Sequence, residues 1–169
     1  DLVEKTVTIP VFWEDGVLAG IIGRYINPKR PKNSRYKVYG FSKGSLVFPL
    51  DKLEVKDDTI ILVEGVLDAI WLHQLGFTNA VSILGNSMSK KQAEIIISKC
   101  KKLICMFDND EGGEVALELT KKKLKHSGIV LYNVEYPENK KDPQECSKEE
   151  IEEMIKNKKS LLFKRLRRL

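Results

Sequence analysis

Two short apolar runs in this chain stop abruptly at acid and glycine, and nothing else in the sequence narrows the fold so far. Thr59-Ile60-Ile61-Leu62-Val63 gives way to Glu64-Gly65, and Leu103-Ile104-Cys105-Met106-Phe107 gives way to Asp108-Asn109-Asp110-Glu111-Gly112-Gly113. Runs of this length and composition read as strands buried on both faces, the habit of parallel sheets covered by helices. In open α/β sheets the carboxyl edge of the strands is where ligands bind. Acids at that edge therefore mark a candidate site.

The stretches between the runs carry helical spacing. Val66 with Ile70, and Leu67 with Trp71 and Leu75, fall on helix faces, and Gly76 stands where a helix end favours glycine. Ser89-Lys90-Lys91-Gln92 and Ser147-Lys148-Glu149-Glu150 fit capping boxes. Gly113 to His126 fits a further helix, closed by Gly128. Strands are expected near 59–63, 80–84, 103–107 and 129–134, joined by right-handed crossovers into a parallel sheet with helices on both faces. Before residue 53 the pattern is of short strands and turns. Thr6 to Trp13 runs into Glu14-Asp15-Gly16, a hairpin signal, and Val17 to Ile26 returns. The two prolines between Asn27 and Ser34 make that segment a loop. The predicted organisation is a basic β-rich subdomain at 1–55, an α/β subdomain at 56–146, and a C-terminal helix with a basic tail at 147–169.

Charge is distributed unevenly. Between Gly16 and Leu50 stand seven bases (Arg24, Lys29, Arg30, Lys32, Arg35, Lys37, Lys43) and no acid, with Tyr25, Tyr36, Tyr39 and Phe41 among them. Cations interleaved with aromatics suit nucleic acid, the cations for phosphates and the rings for bases. No apolar stretch reaches 18 residues and no signal peptide is present, so a cytoplasmic protein without a membrane span is expected. Cys100, Cys105 and Cys146 form no Cys-x-x-Cys pair, which argues against zinc. His73 and His126 read as structural or exposed. The chain opens on Asp1 rather than methionine, which suggests a piece of a longer protein.

Five carboxylates compose the candidate site: Glu64, Asp68, Asp108, Asp110 and Asp142. Glu64 and Asp68 are one helical turn apart, and Asp108 and Asp110 share a face if the strand end stays extended. Two such acids ~4 Å apart at an effective dielectric of about 20 would repel by roughly 4 kcal/mol. A cation offsets that, and Mg2+ (or Mn2+) prefers one or two carboxylates plus substrate phosphates.

At these residues the sequence resembles a known family. Glu64-Gly65-x-x-Asp68, Leu84-Gly85-Asn86-Ser87, Asp108-x-Asp110-x-x-Gly113 and Lys141-Asp142-Pro143, in this order and each after a strand-like run, are similar to the TOPRIM domain of topoisomerases and bacterial-type primases. Ile9-Pro10, Asp15-Gly16, Gly20, Gly23-Arg24, Arg35-Tyr36 and Lys43-Gly44 resemble the basic subdomain that precedes TOPRIM in DnaG-type primases. The resemblance implies a catalytic core that synthesises short RNA primers on single-stranded DNA from ribonucleoside triphosphates. It implies Glu64, Asp108 and Asp110 as catalytic groups, all five acids as metal ligands, and Arg24, Arg35, Lys37, Lys43 and Asn86 as contacts to nucleic acid or nucleotide. A replicative helicase would be met through regions outside this chain. Two positions depart from the pattern: Arg35 stands where lysine is usual, and Gln144 where a second acid is usual. The alternatives are another TOPRIM enzyme, a nuclease or topoisomerase piece, and a non-catalytic single-strand clamp.

Overall fold

The computed structural model describes residues 5–31 and 34–161. Three antiparallel strands come first: β1 (Thr6–Phe12), β2 (Leu18–Tyr25) and β3 (Tyr36–Tyr39), in that spatial order. Ile9 pairs with Ile22, and both are buried with Val11, while Val7, Leu18 and Ile21 face solvent. One face of this sheet is thus core and the other is wet, as alternation predicts.

The second sheet has the order β5-β4-β6-β7-β8, built from β4 (Thr59–Val63), β5 (Ala80–Ser82), β6 (Lys102–Cys105), β7 (Val130–Asn133) and β8 (Lys159–Ser160). The first four are parallel and β8 is antiparallel to β7. Ile60, Ile61, Leu62 and Val63 are all essentially inaccessible, which is why β4 reads as an unbroken apolar run. The helices are α1 (Val66–Gln74), α2 (Lys90–Lys99), α3 (Glu111–Leu124) and α4 (Lys148–Lys156). Ser89 with Gln92, and Ser147 with Glu150, close both expected capping boxes. Gly76 takes φ +94 just beyond α1, the left-handed conformation in which a Cβ is strained. Leu72 and Ala69 seat α1 on the sheet. Truncating a buried leucine such as Leu72 to alanine removes about 2–5 kcal/mol.

Several boundaries differ from the sequence expectation. β5 ends at Ser82 rather than 84, because the Ser82 hydroxyl accepts from Leu84 N (2.8 Å) and Leu84 turns to φ +58. β6 ends at Cys105 rather than 107, three residues before Asp108. α3 opens at Glu111 rather than Gly113, because the Asp110 carboxylate accepts from Gly113 N (3.0 Å) and caps the helix. β3 and β8 were not expected, being too short and too polar to carry a pattern. Of the predicted basic tail, residues 162–169 lie outside the described residues.

The two sheets are tied by the segment 46–50. Leu46, Val47, Phe48 and Leu50 are buried, and Phe48 exchanges two backbone hydrogen bonds with Ser82 at the edge of β5. An ion pair between Glu14 and Lys99 adds a surface contact between β1–β2 and α2.

A candidate carboxylate site facing a basic sheet

The carboxyl ends of β4 and β6 open into a cavity of about 570 Å³. Glu64 and Asp68 line it from the start of α1, Asp108 and Asp110 from the loop after β6, and Leu84, Gly85 and Asn86 from the loop after β5. The opposite wall is Ile22, Tyr36 and Val38 of the antiparallel sheet, with Lys43 from a single 3-10 turn (Lys43–Ser45). Lys43 is the one base among the described residues of the lining.

Local sequence makes this geometry. Helix α1 starts immediately after Glu64 because Gly65 is its N-cap and carries no side chain; a Cβ there would lie 2.4 Å from the Asp68 carboxylate. Gly113 is required for a different reason. Its Cβ would fall 1.8 Å from the Asp108 carbonyl oxygen, so glycine lets α3 pack against the loop that carries both aspartates. That loop is also held by Asn109, whose N–H donates to Lys141 O (2.7 Å) and whose amide donates to Lys140 O (3.2 Å).

The acids feel one another. Burial raises the Glu64 carboxyl above its ordinary range, the Asp108 backbone N–H pulls it back, and Asp110 and Asp68 push it up again. Asp108 is pushed up to about 7, by burial first and then by Asp68, Glu64, Asp142 and Asp110. Asp68, 6% exposed, is raised by burial, and the Gln144 amide that donates to its Oδ1 at 2.7 Å acts against that rise. Glu64 Oε1 is buried without a hydrogen-bond partner. An orphaned carboxylate oxygen among further acids is what a hard cation would satisfy. Among the described residues, however, no three His, Cys, Asp or Glu side chains are gathered closely enough to hold a metal ion. The donor chemistry fits Mg2+ or Mn2+, but such an ion needs part of its shell from water or phosphate.

The structure brings six of the ten predicted site residues to one cavity: Glu64, Asp68, Asp108, Asp110, Lys43 and Asn86. The other four stand apart from its lining. One oxygen of Asp142 is committed to the turn Pro143–Glu145, accepting from Gln144 N (2.9 Å) and Glu145 N (3.2 Å). Arg24 donates to the Tyr36 hydroxyl (2.6 Å) and lies 5.3 Å from its ring, so it reaches the cavity through Tyr36. Lys37 sits over Tyr39 at 5.1 Å, and Arg35 Nε donates to Arg30 O at 3.1 Å. Sequence reasoning missed Tyr36 as a wall of the site, although its place among the bases was a signal, and missed the apolar Ile22 and Val38, for which there was none. Glu145 points back to its own loop, accepting from Lys141 N (2.7 Å).

An acid-edged parallel sheet facing a basic antiparallel one defines an α/β protein of the open-sheet class with its cleft at the strand ends. The profile of the Toprim-like family matches residues 61–147, more than half of the chain, and the chain belongs to that family. The DNA primase of Clostridium acetobutylicum is 32% identical over 99% of this chain and 29% of its own length. The crystal structure of the Aquifex aeolicus primase, with its zinc-binding and RNA polymerase domains, superposes with a TM-score of 0.81 at 30% identity, over 95% of this chain and 42% of that one. A DnaG primase catalytic domain bound to single-stranded DNA shares the fold, with a TM-score of 0.77 at 22% identity over 92% of this chain and 52% of that one. The chain spans about three-tenths of the length of the Clostridium relative.

Proposed function

We propose that the chain is the catalytic part of a DNA primase, a cytoplasmic nucleotidyltransferase that joins ribonucleoside triphosphates into short RNA on single-stranded DNA. The observation that carries this reading is one open cavity lined by four acids, with Asn86 beside them and Lys43 facing them, in a chain whose similarity to primases runs nearly end to end. Phosphoryl transfer asks the protein chiefly to position phosphates and neutralise their charge. Lys43 is placed to hold triphosphate oxygens and the Asn86 amide to orient them. Glu64 would serve either as a ligand of the cation or as the general base for an attacking 3′-hydroxyl. A divalent cation that took one or two of Glu64, Asp108 and Asp110, and the rest of its shell from phosphate and water, would supply Lewis acidity and neutralise charge on the leaving pyrophosphate. Asp68 and Asp142 would support that shell indirectly, Asp142 from outside the cavity lining. Arg24, Arg35 and Lys37 lie on the same antiparallel sheet or its flanking loop, where they would take backbone phosphates of the template. A replicative helicase would be contacted by parts of the longer protein.

The test is direct. The chain, a single-stranded template, labelled ribonucleotides and Mg2+ or Mn2+ should yield short RNA that is absent with EDTA. Cleaved template instead of RNA would favour a nuclease, and metal-independent binding with no product a clamp.

A further inference from the structure

Gln92 is fully buried, and its amide nitrogen approaches three backbone carbonyls from two segments: Lys43 O (3.0 Å) and Leu46 O (2.8 Å) on either side of one turn, and Ile83 O (2.9 Å). An amide has two N–H groups, so three acceptors share two donors. Its Oε1 meanwhile accepts from Ser89 N (2.9 Å) to complete the capping box of α2. Ser89 is doubly engaged too: its hydroxyl accepts from Gln92 N (3.0 Å) and donates to Gly44 O (2.6 Å). A Cβ on Gly44 would sit 3.0 Å from the Ser89 Cβ, so the contact is close as well as hydrogen-bonded.

An N-cap needs none of the contacts to residues 43–46; a cap is complete once its own helix is satisfied. Here the box also grips the turn that carries Lys43, and through Ile83 it grips the start of the loop that carries Leu84, Gly85 and Asn86. Both sides of the cavity mouth hang from one buried amide.

We propose that the Ser89–Gln92 box is a positioning device that sets Lys43 against the carboxylates and so determines how tightly the cavity takes a triphosphate. The inference rests on the reading that Lys43 faces a triphosphate, but not on primer synthesis. Gln92 and Ser89 touch no substrate; they act through the Lys43–Gly44 backbone. The device has a physical rationale: with its backbone already fixed, Lys43 pays only the rotamer entropy of its side chain on binding and no cost for ordering the turn.

The test is a double-mutant cycle on binding, with inorganic triphosphate and Mg2+ as the probe in calorimetry on the 169-residue chain. Lys43→Ala and Gln92→Met should each weaken binding about tenfold, as loss of a charge-assisted contact implies. The double variant should be no weaker than either alone, because a misplaced lysine has nothing left to lose. A Lys43→Ala loss of equal size in both backgrounds overturns the proposal, as does unchanged binding in folded Gln92→Met. If Gln92→Met fails to fold, Ser89 serves instead. Glycine is nearly as good a cap as serine, so Ser89→Gly should bind triphosphate several-fold more weakly with little change in melting temperature, while Ser89→Thr, which keeps the hydroxyl, restores affinity. Binding in Ser89→Gly that falls only in step with thermal stability makes the box structural and overturns the proposal. Absence of RNA synthesis by the wild-type chain would count against the primase reading alone, leaving the coupling between Lys43 and Gln92 as measured.

Discussion

The antiparallel sheet carries its cations against tyrosine faces, whereas the parallel sheet carries its acids on ends of strands buried to near zero exposure. Arg24 over Tyr36, Lys37 over Tyr39 and, on the loop between β2 and β3, Arg30 over Tyr25 are each partnered by a ring. Around Glu64, Asp68, Asp108 and Asp110 the charges are alike, the first three are partly desolvated, and one lysine opposes them. The difference teaches where each region's free energy lies. The basic side has its charges partnered as it stands. The acidic side is held under electrostatic repulsion by the core beneath it, which a bound cation would relieve.

The sharpest way to break this contrast is Asp108→Asn. Primer synthesis should fall at least about 100-fold, the usual scale for removing a charge that stabilises a transition state, while the metal-free chain should become more stable by about 1–2 kcal/mol after solvent screening is allowed for. The sign follows from linkage. A carboxyl raised to about 7 in the folded chain holds its proton where the unfolded chain has lost it, so stability falls as pH rises from about 4 to 7. Melts in EDTA at pH 5 and pH 8 should show that slope in the wild type and a weaker one in Asp108→Asn; identical slopes would refute the assignment.

A backbone change comes next. Gly113→Ala drives a methyl into the Asp108 carbonyl and should cost about 3 kcal/mol, in the range of other severe steric substitutions, whereas alanine at Gly85, where a Cβ meets nothing within 4 Å, should cost under about 1 kcal/mol. Denaturant unfolding distinguishes the two. Gln144→Asp should remove the donor to Asp68 and add like charge, destabilising the metal-free chain by about 1–2 kcal/mol; Mg2+ should recover most of that, which unfolding with and without Mg2+ would reveal. The smallest effect belongs to the basic side. Lys43→Ala should lower the slope of log K against log salt for single-stranded DNA by about 0.7, and Arg35→Ala, whose Nε is already given to Arg30 O, by less. Equal slopes for the two variants would erase the distinction between a cavity lysine and a scaffold arginine.

Sequence patterning made the parallel sheet readable because two-sided burial writes itself as continuous apolar runs, and capping boxes were readable because hydroxyl and carboxamide must sit three residues apart. The acids were legible for the same reason: they punctuate those runs. What escaped was whatever depends on distant partners. β3 and β8 are defined by their neighbours rather than by their own composition. Asp110 serves both as cavity wall and as the cap of α3, and only the backbone path shows that it does both. Gln144 looked like a missing acid, yet it is an amide donor to a residue 76 positions away. Tyr36 announced an aromatic, not a wall.

The Phe48–Ser82 bridge has a consequence beyond joining the two sheets. A parallel sheet ends in rows of unpaired peptide groups that invite another chain to add itself. Here one border, β5, is partly occupied by the 46–50 segment, and the other is a two-residue strand bearing Lys159. Both margins of this sheet are thus blunted, one by cover and one by brevity and charge, so the parallel sheet offers little template on which a second copy could add a strand.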